Sequence, residues 1–120
     1  MKRMKVTIWH NPRCSKSRET LALLKEKGIL PDIVEYLVNP PSRAELADIV
    51  KKLGISPKEL IRFKEPVASE LGIRSSDNRP DSEWLALLVG NPVLIERPVV
   101  IASGKAVIGR PPENVLKLIA

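Results

Sequence analysis

Lys5-Val6-Thr7-Ile8-Trp9-His10-Asn11-Pro12-Arg13-Cys14-Ser15-Lys16-Ser17-Arg18 opens the stretch that decides the fold. Lys5–Trp9 alternates, with Val6 and Ile8 on one face, and this predicts a strand. His10-Asn11-Pro12 ends it, because the proline ring pushes Asn11 out of the αR region and forces a loop. From about Ser15 to Lys27 the pattern is helical: Leu21 and Leu24 share a face, and Gly28 stands where a helix stops. Asp32–Tyr36, short and β-branched at Ile33 and Val34, predicts a second strand. Strand, helix, strand with short links makes a right-handed βαβ unit with parallel strands.

Downstream the pattern changes. Ser42-Arg43-Ala44-Glu45 is a capping box, followed by Leu46, Ile49, Val50 and Leu53 at helical spacing, with Gly54 as the stop. Ser56-Pro57-Lys58-Glu59 is a second capping box with proline at the first helical position, predicting a short helix to about Arg62. Val67–Leu71 predicts another turn or two. Asp81 or Ser82 is placed to cap a helix through Val89, with Trp84, Leu87 and Leu88 on one face. The chain then returns to β: Val99–Ala102 and Lys105–Ile108 flank Ser103-Gly104, a two-residue hairpin connection. Pro112 opens a last helix with Val115, Leu118 and Ile119 inward. The expected fold is α/β: β-α-β, a helical insert at about 42–89, then β-β-α, within one domain of residues 1–120.

Composition bounds the function. At 120 residues the chain matches a single domain of roughly 100–150. A 43 % apolar share supplies a core and excludes wholesale disorder. Eleven prolines mark element boundaries rather than a low-complexity linker. One Cys excludes an internal disulfide and an all-Cys metal site, and with only His10 besides it no zinc site is expected. The longest apolar run, Leu85–Gly90, falls far short of the ~20 residues of a membrane span. Met1–Met4 carries Lys2 and Arg3 but leads into β-like residues with no small-residue cleavage site, so the reducing cytoplasm is the expected location. A net charge of +6 suits an anionic partner without naming it, and equally suits solubility. Four scattered aromatics do not form the stacking platform of a nucleic-acid binder. No G-x-G-x-x-G marks a flavin or nicotinamide site, so no bound cofactor is expected.

Cys14 lies where the strand has ended and the helix begins. The first N–H groups of a helix lack intrahelical partners and its dipole is positive there, and both stabilise a thiolate. His10, Arg13, Lys16 and Arg18 add basic groups within four residues. Ser17, three residues after Cys14, has a hydroxyl able to donate to the sulfur. The competing reading of a lone cysteine is a small buried apolar residue, and of His10 a loop residue without chemistry. Three arginines form a second signal: Arg62 after a short helix, Arg97 before Pro98, and Arg110 before Pro111. A tetrahedral oxyanion is bound by planar multi-donor cations, although each arginine alone also reads as solvated surface.

Together these residues resemble the glutaredoxin-coupled arsenate reductases of bacteria, the ArsC type. The resemblance is carried by His10-Asn11-Pro12-Arg13-Cys14-Ser15-Lys16-Ser17-Arg18, Tyr36-Leu37, Asn39-Pro40-Pro41-Ser42-Arg43 and Leu60-Ile61-Arg62. It continues through Asn91-Pro92, Glu96-Arg97-Pro98-Val99-Val100 and Ile108-Gly109-Arg110-Pro111, nearly to the end of the chain. It implies a thioredoxin/glutaredoxin-like fold with a mixed sheet. Cys14 would be the nucleophile on arsenate, His10 would help to keep it a thiolate, and Arg62, Arg97 and Arg110 would bind the oxyanion. Asn11 and Ser17 would support the loop, and Pro98 would be the cis-proline of such folds. Glutathione would be co-substrate and glutaredoxin the protein partner. Ser15-Lys16 stands where the best-known resistance enzymes have Gly-Thr, which brings the chain nearer to the chromosomal members. Spx-type regulators share the fold and bind RNA polymerase, but usually carry C-x-x-C, where this chain has Ser17. A thiol reductase of another substrate is the remaining alternative.

Overall fold

The computed structural model describes residues 5–119. Met1–Met4, with Lys2 and Arg3, and Ala120 lie outside them. The chain divides into two compact units, residues 1–39 with 97–120, and residues 40–96.

The first unit is a four-stranded mixed sheet with two helices. β1 (Val6–Trp9), α1 (Ser15–Glu26) and β2 (Asp32–Val34) form the βαβ start. β3 (Val99–Ala102), β4 (Lys105–Ile108) and α5 (Val115–Ile119) close it, the last helix entered through a 3-10 turn at Pro112–Asn114. The strand order is β2-β1-β3-β4. β1 runs parallel to β2 with Ile8 beside Ile33, and antiparallel to β3 with Ile8 beside Val100. This is the expected thioredoxin-like arrangement. Val6, Ile8, Val100 and Ala102 share a sheet face by period-two alternation, and they pack with Leu24 of α1 and Val115 of α5 into one buried cluster. Ser103 and Gly104 have φ of 52° and 75°, the left-handed pair that a type I′ hairpin turn requires. β2 stops at Val34 rather than Tyr36, because the chain turns there: Val38 and Asn39 both donate main-chain bonds to the Glu35 carbonyl.

The second unit holds α2 (Arg43–Leu53), α3 (Pro66–Glu70) and α4 (Asp81–Gly90), with 3-10 turns at Pro57–Leu60 and Pro92–Leu94. The capping box at Ser42 is formed: Glu45 N donates to Ser42 Oγ at 3.1 Å and Ser42 N to Glu45 Oε1 at 3.0 Å. Gly54 ends α2 in the left-handed region at φ 70°. The short helix predicted to reach Arg62 is only a 3-10 turn. Ile61 becomes extended and bridges Ile95, with Arg62 N on Leu94 O at 2.7 Å and Glu96 N on Leu60 O at 2.8 Å. Pro80, rather than Asp81 or Ser82, is the N-cap of α4, its carbonyl accepting from Glu83 and Trp84. Trp84 is almost wholly buried, edge-on to Phe63 at 5.8 Å between centroids, with Lys58 and Arg79 over its faces. No helix among the described residues is long and apolar enough to cross a membrane.

Candidate functional site

Cys14 is the N-cap of α1, with extended φ −94° and ψ 123°. An N-cap side chain lies beside the unpaired N–H groups of the first turn. Here the sulfur occupies the place a serine or aspartate oxygen usually takes. The loop that presents it is tied on all sides. His10 N donates to Val34 O at 2.8 Å, anchoring the loop to β2, and Cys14 N donates to Asn11 O at 3.0 Å. Asn11 Oδ1 accepts from Arg13 N at 3.0 Å, an Asx-type turn. Arg18 reaches back from α1 to the Pro12 carbonyl at 2.9 Å.

His10, Asn11 and Ser17 are all buried and form one group. Ser17 Oγ lies 2.7 Å from His10 Nδ1 and accepts from Asn11 N at 3.0 Å. The expected Ser17 hydroxyl donation to the sulfur is therefore replaced by a bond to the imidazole, and Ser17 acts on the sulfur through its main-chain N–H. Burial lowers the His10 pKa from its ordinary value; the Glu35 charge opposes this and Lys25 and Arg18 reinforce it. The neutral imidazole is thereby favoured over the charged form beside the thiol. A neutral imidazole with its proton on Nε2 accepts the Ser17 hydroxyl hydrogen at Nδ1.

The cations beside Cys14 come from the far end of the sequence. Arg110 Nη2 donates to Cys14 Sγ at 3.5 Å, and Arg110 Nε donates to the Arg97 carbonyl at 2.8 Å. The Arg97 guanidinium acts on the same sulfur and favours its thiolate. Burial pushes the Cys14 thiol up, but the Ser17 N–H, the Arg97 guanidinium and the Lys16 N–H together outweigh it, leaving the pKa below the ordinary thiol value. Only 9 % of Cys14 is exposed, so the charge they hold is largely withdrawn from water.

Arg97–Pro98 is cis, as the resemblance implies, and so is Arg110–Pro111, which the sequence reading did not anticipate. Gly109 N donates to Pro98 O at 2.9 Å, joining the two Arg-Pro segments. A Cβ on Gly109 would sit 2.7 Å from Thr20 Oγ1 and 2.8 Å from Pro98 Cγ, so only glycine fits this approach unshifted. Asn114 Nδ2 clasps the same segment through the Ile108 and Arg110 carbonyls, at 3.1 and 3.0 Å. Thr20, Gly109 and Asn114 were not legible as site residues: a threonine inside a helix and a glycine after a strand carry no mark of what they will face.

The first unit therefore brings together Cys14, His10, Asn11, Ser17, Arg97, Pro98 and Arg110. Arg62 belongs to the second unit, where its Nε pairs with Glu65 Oε1 at 3.2 Å. No group of three or more metal-ligating side chains occurs among the described residues. A stabilised thiolate with two guanidinium groups on it can attack an electrophilic centre whose oxygens carry negative charge.

Comparison with known proteins agrees with the geometry. The model of the ArsC family matches residues 9–118. The chain is 51 % identical over 115 residues to the Escherichia coli K12 protein YfgD, covering 95 % of this chain and 96 % of that one. It is 46 % identical over 111 residues to an arsenate reductase of Neisseria meningitidis serogroup A, covering 92 % and 94 %. Among solved structures, an arsenate reductase from Vibrio cholerae superposes with a TM-score of 0.91 at 44 % identity, over 97 % of this chain and 98 % of that one. With the family model matched over residues 9–118, the chain belongs to the ArsC family.

Proposed function

We propose that this protein is an arsenate reductase that works through a Cys14 thiolate–arsenic adduct, with glutathione and glutaredoxin as reductants. The observation that carries this reading is the sulfur of Cys14 at a helix N-cap with Arg97 and Arg110 upon it. The thiolate attacks arsenic(V), and one arsenate oxygen leaves as water after protonation. Arg97, Arg110 and, by the family resemblance, Arg62 hold the charge on the remaining oxygens. Glutathione displaces a second oxygen from the adduct, giving arsenic bonded to both sulfurs. A glutaredoxin thiolate then attacks the glutathione sulfur. The mixed disulfide carries away two thiol equivalents, and the electron pair of the broken sulfur–arsenic bond stays on arsenic, now trivalent. Water releases arsenite and returns Cys14.

One protein cysteine suffices because the external thiols supply both electrons, and this supports glutathione over a reductant that needs a second, resolving cysteine in the chain. A glutathione-rich cytoplasm is the compartment that fits. Phosphate has the shape and charge of arsenate and should compete with it. The test is arsenite formation by purified protein with arsenate, glutathione and glutaredoxin, omitting each in turn. Arsenite that depends on all of them supports the reading; no arsenite above the protein-free rate refutes it.

A further inference from the structure

We propose that Glu65 is a positioning residue for Arg62, holding its guanidinium so that the terminal nitrogens are left for an oxyanion. This rests on the reading of Arg62 as an oxyanion ligand. The second unit fixes Arg62 at both ends. Its main-chain N–H is bound to Leu94 O at 2.7 Å, beside the Ile61–Ile95 bridge, and its carbonyl accepts from Glu65 N at 3.2 Å. Its Nε lies 3.2 Å from Glu65 Oε1, and the two side chains are only 24 % and 15 % exposed. Glu65 is itself held rigidly: it is the N-cap of α3, with φ −67° and ψ 138°, and Pro66 follows at the first helical position. A residue before proline is confined to that extended region, so the carboxylate has a fixed origin.

The atom engaged decides the role. A guanidinium has five N–H groups, one on Nε and four on the terminal nitrogens. A carboxylate on the terminal edge would occupy the donors that bind a planar pair of oxygens. A carboxylate against Nε, here an ion-pair contact at 3.2 Å without an aligned hydrogen bond, restrains the end of a long flexible side chain by charge and leaves the four terminal N–H groups, the bidentate edge among them, available. A pair three residues apart on an open surface would do little; this one is mostly covered and sits on a backbone tied at both residues.

The experiment measures binding of inorganic phosphate by calorimetry, and kcat and KM for arsenate, in wild type, Glu65→Gln, Glu65→Asp, Arg62→Lys and the double variant Arg62→Lys with Glu65→Gln. Glu65→Gln is near-isosteric, and its folding is checked by circular dichroism. The expected result is a loss of phosphate affinity and a rise in KM on the order of tenfold, the scale of other orienting contacts, with kcat within about threefold. Glu65→Asp should recover part of the loss. In the Arg62→Lys background Glu65→Gln should add less than about twofold, because both changes act through one group. Wild-type or tighter phosphate binding in Glu65→Gln, beside a weakened Arg62→Lys, would overturn the positioning role alone. So would single effects that multiply in full in the double variant. Arg62→Lys indistinguishable from wild type would overturn the Arg62 reading and leave Glu65 nothing to position. Phosphate binding reports on all of this even if arsenate is not turned over.

Discussion

The sulfur of Cys14 and the guanidinium of Arg62 are held by opposite means. In the first unit, Arg110 meets Cys14 across 96 residues of sequence, and Thr20 meets Gly109 across 89. Those contacts exist only once β1, β3 and β4 have paired. In the second unit, the Arg62 side chain is paired with a residue three positions away, while its main chain is tied to Leu94 beside the Ile61–Ile95 bridge within the same unit. A site part built on distant pairings depends on the whole sheet and fails with it. A side chain oriented by a near neighbour on a backbone tied within the second unit does not depend on the pairing of that sheet. The two regions should therefore answer differently to substitution.

The largest effect is expected at the thiol. Cys14→Ser should bring arsenate reduction to the protein-free rate while the circular dichroism spectrum stays that of wild type, since a hydroxyl is accepted at an N-cap. Next come the sequence-distant arginines. Lysine keeps the charge but loses the planar fork. Arg97→Lys and Arg110→Lys should each reduce kcat/KM by roughly 10²–10³, the scale of one oxyanion donor. They should also raise the Cys14 pKa toward the ordinary thiol value, and alkylation rate against pH measures both. Because the reacting form is the thiolate, activity falls as pH drops through the Cys14 pKa, and that falling limb should move to higher pH in both variants. Variants that lose turnover with no change in the alkylation profile would mean that the arginines do not act on the sulfur.

Sequence legibility follows the same division. The capping box at Ser42, the stop at Gly54 and the Ser103-Gly104 turn are local, and each is formed as read. Cys14 was legible because a strand end, a proline and a helix start lie side by side in the chain. The partnership of Ser17 with His10 was not, because it depends on how the loop folds back over α1. The short helix expected up to Arg62 failed for a related reason. Its residues fit a helix locally, but Ile61 is claimed by Ile95, more than thirty residues on. Pairing across the unit overrode local propensity.

Gly109→Ala probes the tightest of the distant contacts. The added Cβ would meet Thr20 Oγ1 at 2.7 Å and Pro98 Cγ at 2.8 Å, so the segment carrying Arg110 has to move away from α1. Overpacking of this kind costs about 1–3 kcal/mol, and a displaced Arg110 should lower kcat/KM roughly tenfold. Thr20→Ala in the same chain removes two of the three atoms the Cβ meets, Thr20 Oγ1 and Cγ2, leaving Pro98 Cγ, and should restore part of the activity, which no general destabilisation would do. Additive losses in the double variant would show that Thr20 and Gly109 are not in contact in solution.

The smallest effect separates the two units by acid. In the first, His10 has a lowered pKa caused by burial, with the Glu35 charge opposing and Lys25 and Arg18 assisting. A base whose folded pKa lies below its unfolded value binds its proton more readily unfolded. Stability tied to His10 is therefore complete above about pH 6.5 and declines as pH falls from there through the folded pKa. Protonation of Nδ1 would also remove the acceptor for the Ser17 hydroxyl and loosen the loop that carries Cys14. In the second unit, Asp77 has a lowered pKa, first through the Arg74 N–H and then through the Arg79 side chain and the nearby charges, with desolvation opposing. Its contribution is present above its unfolded value near 3.8 and is lost only as pH falls below that. Between pH 6.5 and about 4.5, acid should therefore loosen the loop and first turn of α1 while sparing the Arg74–Glu83 stretch. Amide exchange followed by mass spectrometry, corrected for the intrinsic rate at each pH, should show protection falling in residues 10–20 and holding in residues 74–83. His10→Gln, which cannot titrate, should flatten the first response. Equal loss in both stretches, or an unchanged response in His10→Gln, would remove His10 as the acid-sensitive group.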